Sequence, residues 1–178
     1  MANLQTFQAN FCYTAAGMLI HEGKVLLVKH KKLGIWLNPG GHIEPNELPH
    51  KAAEREFYEE TGVRVRAIDL IGLDGGEDSE YLPNPICTNL HWISKENYWS
   101  RMQSKGVTDE TWGKGCEQHL NFLYLVQPVG STQLAFNSME ALGIEWFTEE
   151  QVKTLETREN IRQEVVYGFF LMKQISSL

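Results

Sequence analysis

The feature that most constrains the fold is an acidic stretch at residues 41–63, where a glycine-containing turn leads into a helix-forming segment. From Glu47 to Thr61 the only helix breaker is Pro49, which a helix tolerates in its first turn. Gly62 follows, and glycine is the usual residue just past a helix C-terminus. The pattern therefore predicts a helix over Glu47–Thr61.

The acidic residues of this predicted helix gather on one side. Glu56 and Glu59 are three residues apart, and Glu56 and Glu60 are four apart, so all three carboxylates point toward one region. Ala52 and Phe57 lie on other faces and can pack inward. Like charges this close repel each other unless a cation lies between them. Clustered carboxylate oxygens are suited to hard ions such as Mg²⁺ or Mn²⁺.

The residues around this face can support such an ion. Arg55 lies four residues before Glu59 and can hold a carboxylate through charge-assisted hydrogen bonds. Glu47 is near the helix start, where a negative charge is favoured. The glycines before the helix let the backbone approach a ligand closely, so that a glycine carbonyl can join a metal shell. Asn46 occupies a turn position where we expect a positive φ, which asparagine tolerates.

The rest of the chain predicts strands on both sides of the acidic helix. Thr148 is expected to cap a short helix, and a last helix is predicted over Arg158–Ile175. Asn38–Gly41 is predicted to lack regular structure. Polar residues 94–115 are the best candidate for an insertion or lid in one domain spanning residues 1–178. The predicted strands are Phe11–Ile20, Val25–Val28, Val63–Leu73, Ile86–Ile93, His119–Val126 and Ile144–Phe147.

Composition limits the classes of partner. The 178 residues carry a net charge of −7, which disfavours a long nucleic-acid duplex but not a small phosphorylated ligand bound through a metal. The three cysteines, Cys12, Cys87 and Cys116, have no zinc-finger spacing and predict free thiols in a reducing compartment. We see no signal peptide and no membrane span, so we expect a cytoplasmic protein.

Residues 41–63 resemble the Nudix box, G-x5-E-x7-R-E-U-x-E-E-x-G-U, where U is bulky and apolar. The resemblance implies an α/β fold, an α/β/α sandwich with a mixed β-sheet between helices. It also implies a monomeric or homodimeric hydrolase that cleaves a pyrophosphate bond in a nucleoside diphosphate linked to a group X, with Mg²⁺ or Mn²⁺. Every defined position of the box is filled, by Gly41, Glu47, Arg55, Glu56, Phe57, Glu59, Glu60, Gly62 and Val63.

The resemblance also implies roles for individual residues. Glu56, Glu59 and Glu60 correspond to metal ligands, helped by the carbonyl of Gly40. Arg55 and Glu47 correspond to groups that orient those ligands. The general base varies within this family, and the sequence leaves two candidates open: Glu56 itself, and Glu117 outside the box.

The box does not name the substrate, and the residues outside it give weaker indications. A nucleoside triphosphate is the first expectation; a sugar nucleotide, a dinucleoside polyphosphate, or a catalytically silent nucleotide-binding module are alternatives. Tyr81 is the position that would favour dinucleoside polyphosphates. Trp36 is a candidate wall for a base, and Lys29 and Lys31 are candidates for contacting distal phosphates. Three further tryptophans could stack on a base: Trp92, Trp99 and Trp112.

Overall fold

The computed structural model describes residues 8–103, 106, 115–135 and 141–175. The strands in this part of the chain are β1 Phe11–His21, β2 Lys24–His30, β3 Trp36–Leu37, β4 Gly40–His42, β5 Val65–Ala67, β6 Cys87–Trp92, β7 Gln118–Pro128 and β8 Ala141–Thr148. The helices are α1 Pro49–Thr61, α2 Lys95–Met102, α3 Glu149–Thr154 and α4 Glu159–Ile175.

Strand β1 lies at the centre of a mixed sheet. It runs parallel to β7, from the pair Phe11–Gln118 to the pair Leu19–Val126, and antiparallel to β2 and β4 on its other side. Strand β2 also pairs with β3 and β8, and β7 also pairs with β5 and β6, all antiparallel. The N-terminal half of β1 is therefore held between β4 and β7.

The two faces of the sheet are covered by different helices, because alternate residues of a strand point to opposite sides. On one face Ala15 and Leu19 pack with Ala52 and Phe57 of α1. On the other face a second cluster joins Ala16, Met18 and Ile20 to Val165 and Phe169 of α4. The predicted α/β/α sandwich with a mixed sheet is confirmed.

The acidic helix forms where the sequence predicts it, with a later start. It begins at Pro49, which fixes φ and lacks an N–H that the first turn does not need. Leu48 precedes it without a side-chain cap, and Gly62 ends it in the left-handed region at φ 73°. Asn46 has the expected positive φ, at 65°. Thr148 caps α3 as predicted, in a reciprocal pair with Gln151.

Two local predictions were wrong. Gly40–His42 is a strand rather than an irregular turn, because glycine has no Cβ and Gly40 can pack directly against the backbone of Ala16. The strand predicted over Val63–Leu73 stops at Ala67, since the Asp69 carboxylate accepts two backbone N–H groups and forms a turn. The insertion or lid over 94–115 stays a prediction; this segment begins with α2, whose cap is Ser94. Trp112 lies outside the described residues.

None of the helices in the described part of the chain has the length and hydrophobicity that a membrane crossing requires.

Candidate active site

The acidic helix is oriented by its apolar side. Ala52, Ala53 and Phe57 are fully buried against the sheet. Burying a side chain such as Phe57 contributes about 1.5–3 kcal/mol, which fixes the rotation of α1. Glu56 and Glu59 therefore turn away from that core, toward the edge of the sheet where β4 lies. Glu60 is 8% exposed and lies at the boundary between core and edge.

Arg55 connects the carboxylates of the box. Its Nε and Nη2 donate to the two oxygens of Glu47 at 2.8 Å each, and its Nη1 donates to Glu56 at 2.8 Å. Nη1 also reaches Glu59 at 3.3 Å, and Nη2 donates to the carbonyl of His42 at 3.0 Å. The Arg55 guanidinium lowers the pKa of Glu47, and its hydrogen bonds with Glu47 raise its own pKa. Arg55 thus carries a fixed positive charge that positions three acids.

The glycines of β4 bring the backbone up to these acids. The Gly40 N–H donates to Glu60 Oε2 at 3.0 Å. A Cβ added to Gly41 would overlap the carboxylate of Glu56, so this close approach requires glycine. The turn that follows is closed by the Glu44 N–H, which donates to Glu47 Oε2 at 2.9 Å.

The residues present fit a hard divalent cation. Glu56, Glu59 and Glu60 supply only oxygen ligands. Glu60 accepts from the Gly40 N–H, and the Glu56 carboxylate lies so close to Gly41 that a side chain there would fill the space. Four carboxylates, counting Glu47, face one guanidinium, which leaves three formal negative charges. Oxygen ligands with excess negative charge are what Mg²⁺ and Mn²⁺ prefer.

A cavity of about 200 Å³ opens on the other side of β4, on the face covered by α4. Gly40, Gly41 and His42 form part of its wall. Neighbouring strands of the sheet contribute further side chains to the wall. Thr14 and Asn121 are two of them, and Thr14 pairs with both His42 and Asn121 in the sheet. The acidic cluster and this cavity therefore lie on opposite sides of β4, where Gly40 and Gly41 have no side chains.

Several polar side chains line the cavity, although most of its surface is apolar. Asn38 is 6% exposed, lines the cavity, and its Oδ1 has no hydrogen-bond partner among the described residues. Asn89 Oδ1 lies 2.7 Å from His91 Nδ1, and the Asn89 amide donates to Glu164 at 2.7 Å. Burial raises the pKa of Glu164 and, with the charge of Arg158, lowers the pKa of His91 to about 4. At neutral pH His91 is a neutral hydrogen-bonding group.

Trp36 does not form a wall of the site. Its side chain is in the core, 9% exposed, with its ring 4.8 Å from that of Phe147 in an edge-on contact. Its neighbours Ile35 and Leu37 line the cavity instead. Trp36 belongs to the apolar cluster on the face covered by α4, where its ring packs into the core and does not line this cavity.

The basic residues and the tyrosine proposed for substrate contacts also lie elsewhere. Lys29 Nζ is 3.4 Å from Glu156 and does not line the cavity. Lys31 is exposed in the turn after His30, beside the cavity but not in its wall. Tyr81 is 55% exposed in the loop that follows Leu73 and is also not part of the cavity wall. Of the tryptophans, Trp92 packs on Tyr98, and Trp99 is half-exposed beside the same ring.

Glu117 lies in a buried ion pair and is not a member of the acidic cluster of the box. It is 1% exposed just before β7, ion-paired with Arg101, and its Oε2 accepts the Asn10 N–H at 2.7 Å. Burial raises the pKa of Glu117, but the hydrogen bonds from Arg101 and Asn10 outweigh it and the net pKa is lowered. The sequence offered Glu117 as a candidate general base, and the structure places it in a buried ion pair with Arg101.

Sequence reasoning missed most of the cavity wall, although a signal was present. Asn89 and His91 alternate with apolar residues in β6, and His119 and Asn121 do the same in β7. The pairs meet in register, Asn89 with Asn121 and His91 with His119. Polar residues at every second position of two adjacent strands indicate a polar face beneath a helix. Asn38 itself has no comparable signal.

A family model described as the NUDIX domain matches residues 13–168. This span includes the box, the central sheet and most of α4. The chain belongs to the Nudix family.

Individual Nudix proteins resemble the chain over different extents. A Nudix-family hydrolase from Clostridium perfringens matches with a TM-score of 0.70 and 28% identity, over 92% of this chain and 99% of that one. A putative 8-oxo-dGTP diphosphatase of Bacillus subtilis is 42% identical over 64 residues, which is 34% of this chain and 43% of the relative. Diphosphoinositol polyphosphate phosphohydrolase 2 of Rattus norvegicus is 41% identical over 61 residues, 34% of each chain. These matches thus span less than half of the curated relatives.

Proposed function

We propose that this Nudix protein hydrolyses a nucleoside triphosphate to a monophosphate and pyrophosphate, with Mg²⁺ or Mn²⁺ bound at the box. The observation that carries the proposal is the arrangement across β4. A carboxylate cluster lies on one side of Gly40 and Gly41, and a cavity with polar side chains in its wall lies on the other. A substrate with a ring at one end and a chain of phosphates at the other can occupy both at once.

The cavity supports a nucleobase as the ring. Its volume of about 200 Å³ is smaller than the roughly 300–1,000 Å³ of clefts that enclose an entire drug-sized ligand. It therefore suits one ring system. The buried Oδ1 of Asn38 can accept a hydrogen bond from an N–H of the base, which satisfies an otherwise costly buried acceptor.

The charges near the cavity argue against a polyphosphorylated inositol. Such a ligand carries many phosphates and requires several lysines or arginines around it. Arg158 is the sole lysine or arginine in the cavity wall formed by the described residues. A dinucleoside polyphosphate is also less well supported, since Tyr81 lies outside the cavity and the cavity admits one ring.

The phosphates would extend from the cavity over Gly40 and Gly41 to the acidic cluster. Glu56, Glu59 and Glu60, with the Gly40 carbonyl, would hold the metal, which supplies charge neutralisation for the phosphates and activation of a water molecule. Arg55 holds Glu56 and Glu59 in position, and Glu47 holds Arg55. Of the two carboxylates offered by the sequence as general base, Glu56 lies in this cluster and is the one we propose.

The experiment is a nucleotide panel with Mg²⁺ or Mn²⁺, in which monophosphate, pyrophosphate and orthophosphate are each measured. The proposal expects equal amounts of monophosphate and pyrophosphate from at least one nucleoside triphosphate, and none without the metal. Release of orthophosphate alone would contradict the bond assignment. Tight nucleotide binding with no product from any substrate would instead favour a silent, regulatory Nudix module.

A further inference from the structure

Three side chains with a preference for soft metal ions meet beside the acidic cluster: Cys12, His42 and Cys116. Their ligating atoms all lie within 4.8 Å of one another. The two sulfurs are 2.7 Å apart, and His42 Nε2 is 3.1 Å from Cys116 Sγ. The proposed hydrolysis assigns no catalytic or metal-binding role to these three side chains, although His42 also lines the cavity proposed for the base.

The sheet brings the three residues together. Cys12 is the second residue of β1, His42 is the last residue of β4, and Cys116 lies two residues before β7. Strands β4, β1 and β7 are adjacent in the sheet, and the three residues lie at the same end of these strands. Thr14, two residues after Cys12 and on the same face, pairs with His42 in the sheet. The arrangement therefore follows from strand register and not from a chance meeting of loops.

We propose that Cys12, Cys116 and His42 bind one Zn²⁺ ion, separately from the hard cation of the box. Thiolate and imidazole are ligands that zinc prefers, whereas Mg²⁺ takes oxygen. Binding releases the two thiol protons, and the two thiolates formed balance the charge of the ion. A neutral centre suits this place, because Cys116 is only 2% exposed. With three protein ligands, the fourth tetrahedral position is left for water.

The geometry also indicates which ligand moves. Zn–S bonds of about 2.3 Å at a tetrahedral angle put two sulfurs roughly 3.8 Å apart, about 1 Å more than here. Cys12 is partly exposed near the end of its strand, whereas Cys116 is buried. The Asn97 amide also fixes the Cys116 carbonyl by a 3.0 Å hydrogen bond. Cys12 is therefore the ligand that adjusts when the ion binds.

An ion at this centre would tie together the ends of β1 and β4 and the segment leading into β7. His42 directly follows Gly41, and its carbonyl is bonded to Arg55. The ion would thus hold the strand whose glycines face the carboxylates. Because it binds the native state, it raises Tm, and the rise grows with the logarithm of the free-ion concentration above Kd. The role is structural, so its test does not depend on hydrolysis.

The test is titration of the full-length, metal-free protein with Co²⁺ and with Zn²⁺, in excess Mg²⁺ and a non-thiol reductant. Excess Mg²⁺ occupies the carboxylates, and thiolate bound to Co²⁺ gives a near-ultraviolet charge-transfer absorption that oxygen ligands do not. We expect this absorption to saturate at one equivalent, to disappear when Zn²⁺ is added, and to coincide with a rise in Tm.

The variants are Cys12→Ala and His42→Asn, with Cys87→Ser as the matched control. Burial raises the pKa of Cys87 to about 11, and it is not one of the three clustered residues. Both site variants should lose the absorption and the Zn²⁺-dependent rise in Tm, while Cys87→Ser keeps both. Cys12→Ala changes a partly exposed residue, and its circular dichroism reports whether it folds.

Two results would overturn the proposal. One is the absence of thiolate absorption from the reduced wild-type protein at every Co²⁺ concentration. This result would overturn the proposal whether or not the unreduced protein contains a Cys12–Cys116 disulfide. The other is an absorption that persists in folded Cys12→Ala protein. Neither result bears on nucleotide hydrolysis, so a failure of this proposal is distinguishable from a failure of the proposed function.

Discussion

Gly41 lies against the carboxylate of Glu56 so closely that a single added methyl group would overlap it. Gly40, one residue earlier, lies equally close to something else: a Cβ there would overlap the backbone of Ala15 and Ala16. The two glycines look alike in the sequence, but Gly40 allows β4 to pack on β1, whereas Gly41 leaves room for the carboxylate of Glu56.

This difference predicts that two matched alanine substitutions affect different properties, kcat at Gly41 and stability at Gly40. Gly41→Ala should lower kcat by about 100-fold, because displacing a catalytic group by about 1 Å has that effect, while Tm changes little. Gly40→Ala should instead lower the free energy of unfolding by about 1–3 kcal/mol, since backbone cannot yield as a side chain does. Steady-state kinetics and thermal unfolding of both variants check this. Similar Tm losses in both would contradict the distinction.

Substitution of Asn38 is expected to change KM for the nucleotide more than kcat. Asn38→Leu removes a buried Oδ1 that has no partner in the described structure, so Tm should not fall. If that oxygen accepts a hydrogen bond from the base, KM for the nucleotide should rise by up to about 10-fold, the value of one hydrogen bond. kcat should change less. A variant with unchanged KM for every substrate would remove Asn38 from base recognition.

Glu117 should matter for stability and not for catalysis. Glu117→Gln weakens the pairing with Arg101 and should cost about 1–3 kcal/mol of unfolding free energy, with kcat within about twofold of wild type. The folded-state pKa of Glu117 is depressed. Its stabilisation is therefore present above the ordinary glutamate pKa and is lost as pH falls through the depressed value. A large loss of kcat in well-folded protein would restore Glu117 as a candidate base.

His91 makes the stability of the fold depend on pH in a second window. Its pKa is about 4 in the folded state and 6.5 as a model value, so between these values the unfolded chain binds the proton and the folded chain does not. The contribution of His91 alone should then lower the unfolding free energy by about 3 kcal/mol between pH 6.5 and 4.

His91→Gln, which retains a donor toward Asn89 but does not titrate, provides the comparison for that window. Denaturant unfolding at several pH values would give the difference in unfolding free energy between the two proteins. We expect this difference to shift in favour of the variant as pH decreases from 6.5. Parallel curves for the two proteins would show that His91 is not responsible.

The acidic helix and its carboxylates could be predicted from the sequence because they depend on local rules. The spacing of Glu56, Glu59 and Glu60, the proline start and the glycine stop all act within a few residues of each other. The α/β/α layering followed from the resemblance and is confirmed. The substrate-facing residues could not be predicted in the same way, because they depend on register between distant strands.

Trp36 and Glu117 show why. A tryptophan before a glycine turn suggests a wall for a base, but its ring packs into the apolar core against Phe147. An acid before β7 suggests a base, but α2 provides Arg101 to pair with it, and α2 was itself unexpected. Asn38 occupies the position that the sequence assigned to Trp36, and only the packing of the sheet places it there.

The most direct test of the account is metal-dependent pyrophosphate release by wild type and by Glu60→Gln. Glu60 is one of the proposed metal ligands. The matched control is Glu150→Gln, which changes an exposed acid of α3 that is paired with Lys153. With a substrate found in the nucleotide panel and Mg²⁺, kcat of Glu60→Gln should fall by about 100-fold or more while Glu150→Gln equals wild type. Wild-type turnover by folded Glu60→Gln protein, or wild-type hydrolysis that persists without a divalent cation, would contradict it.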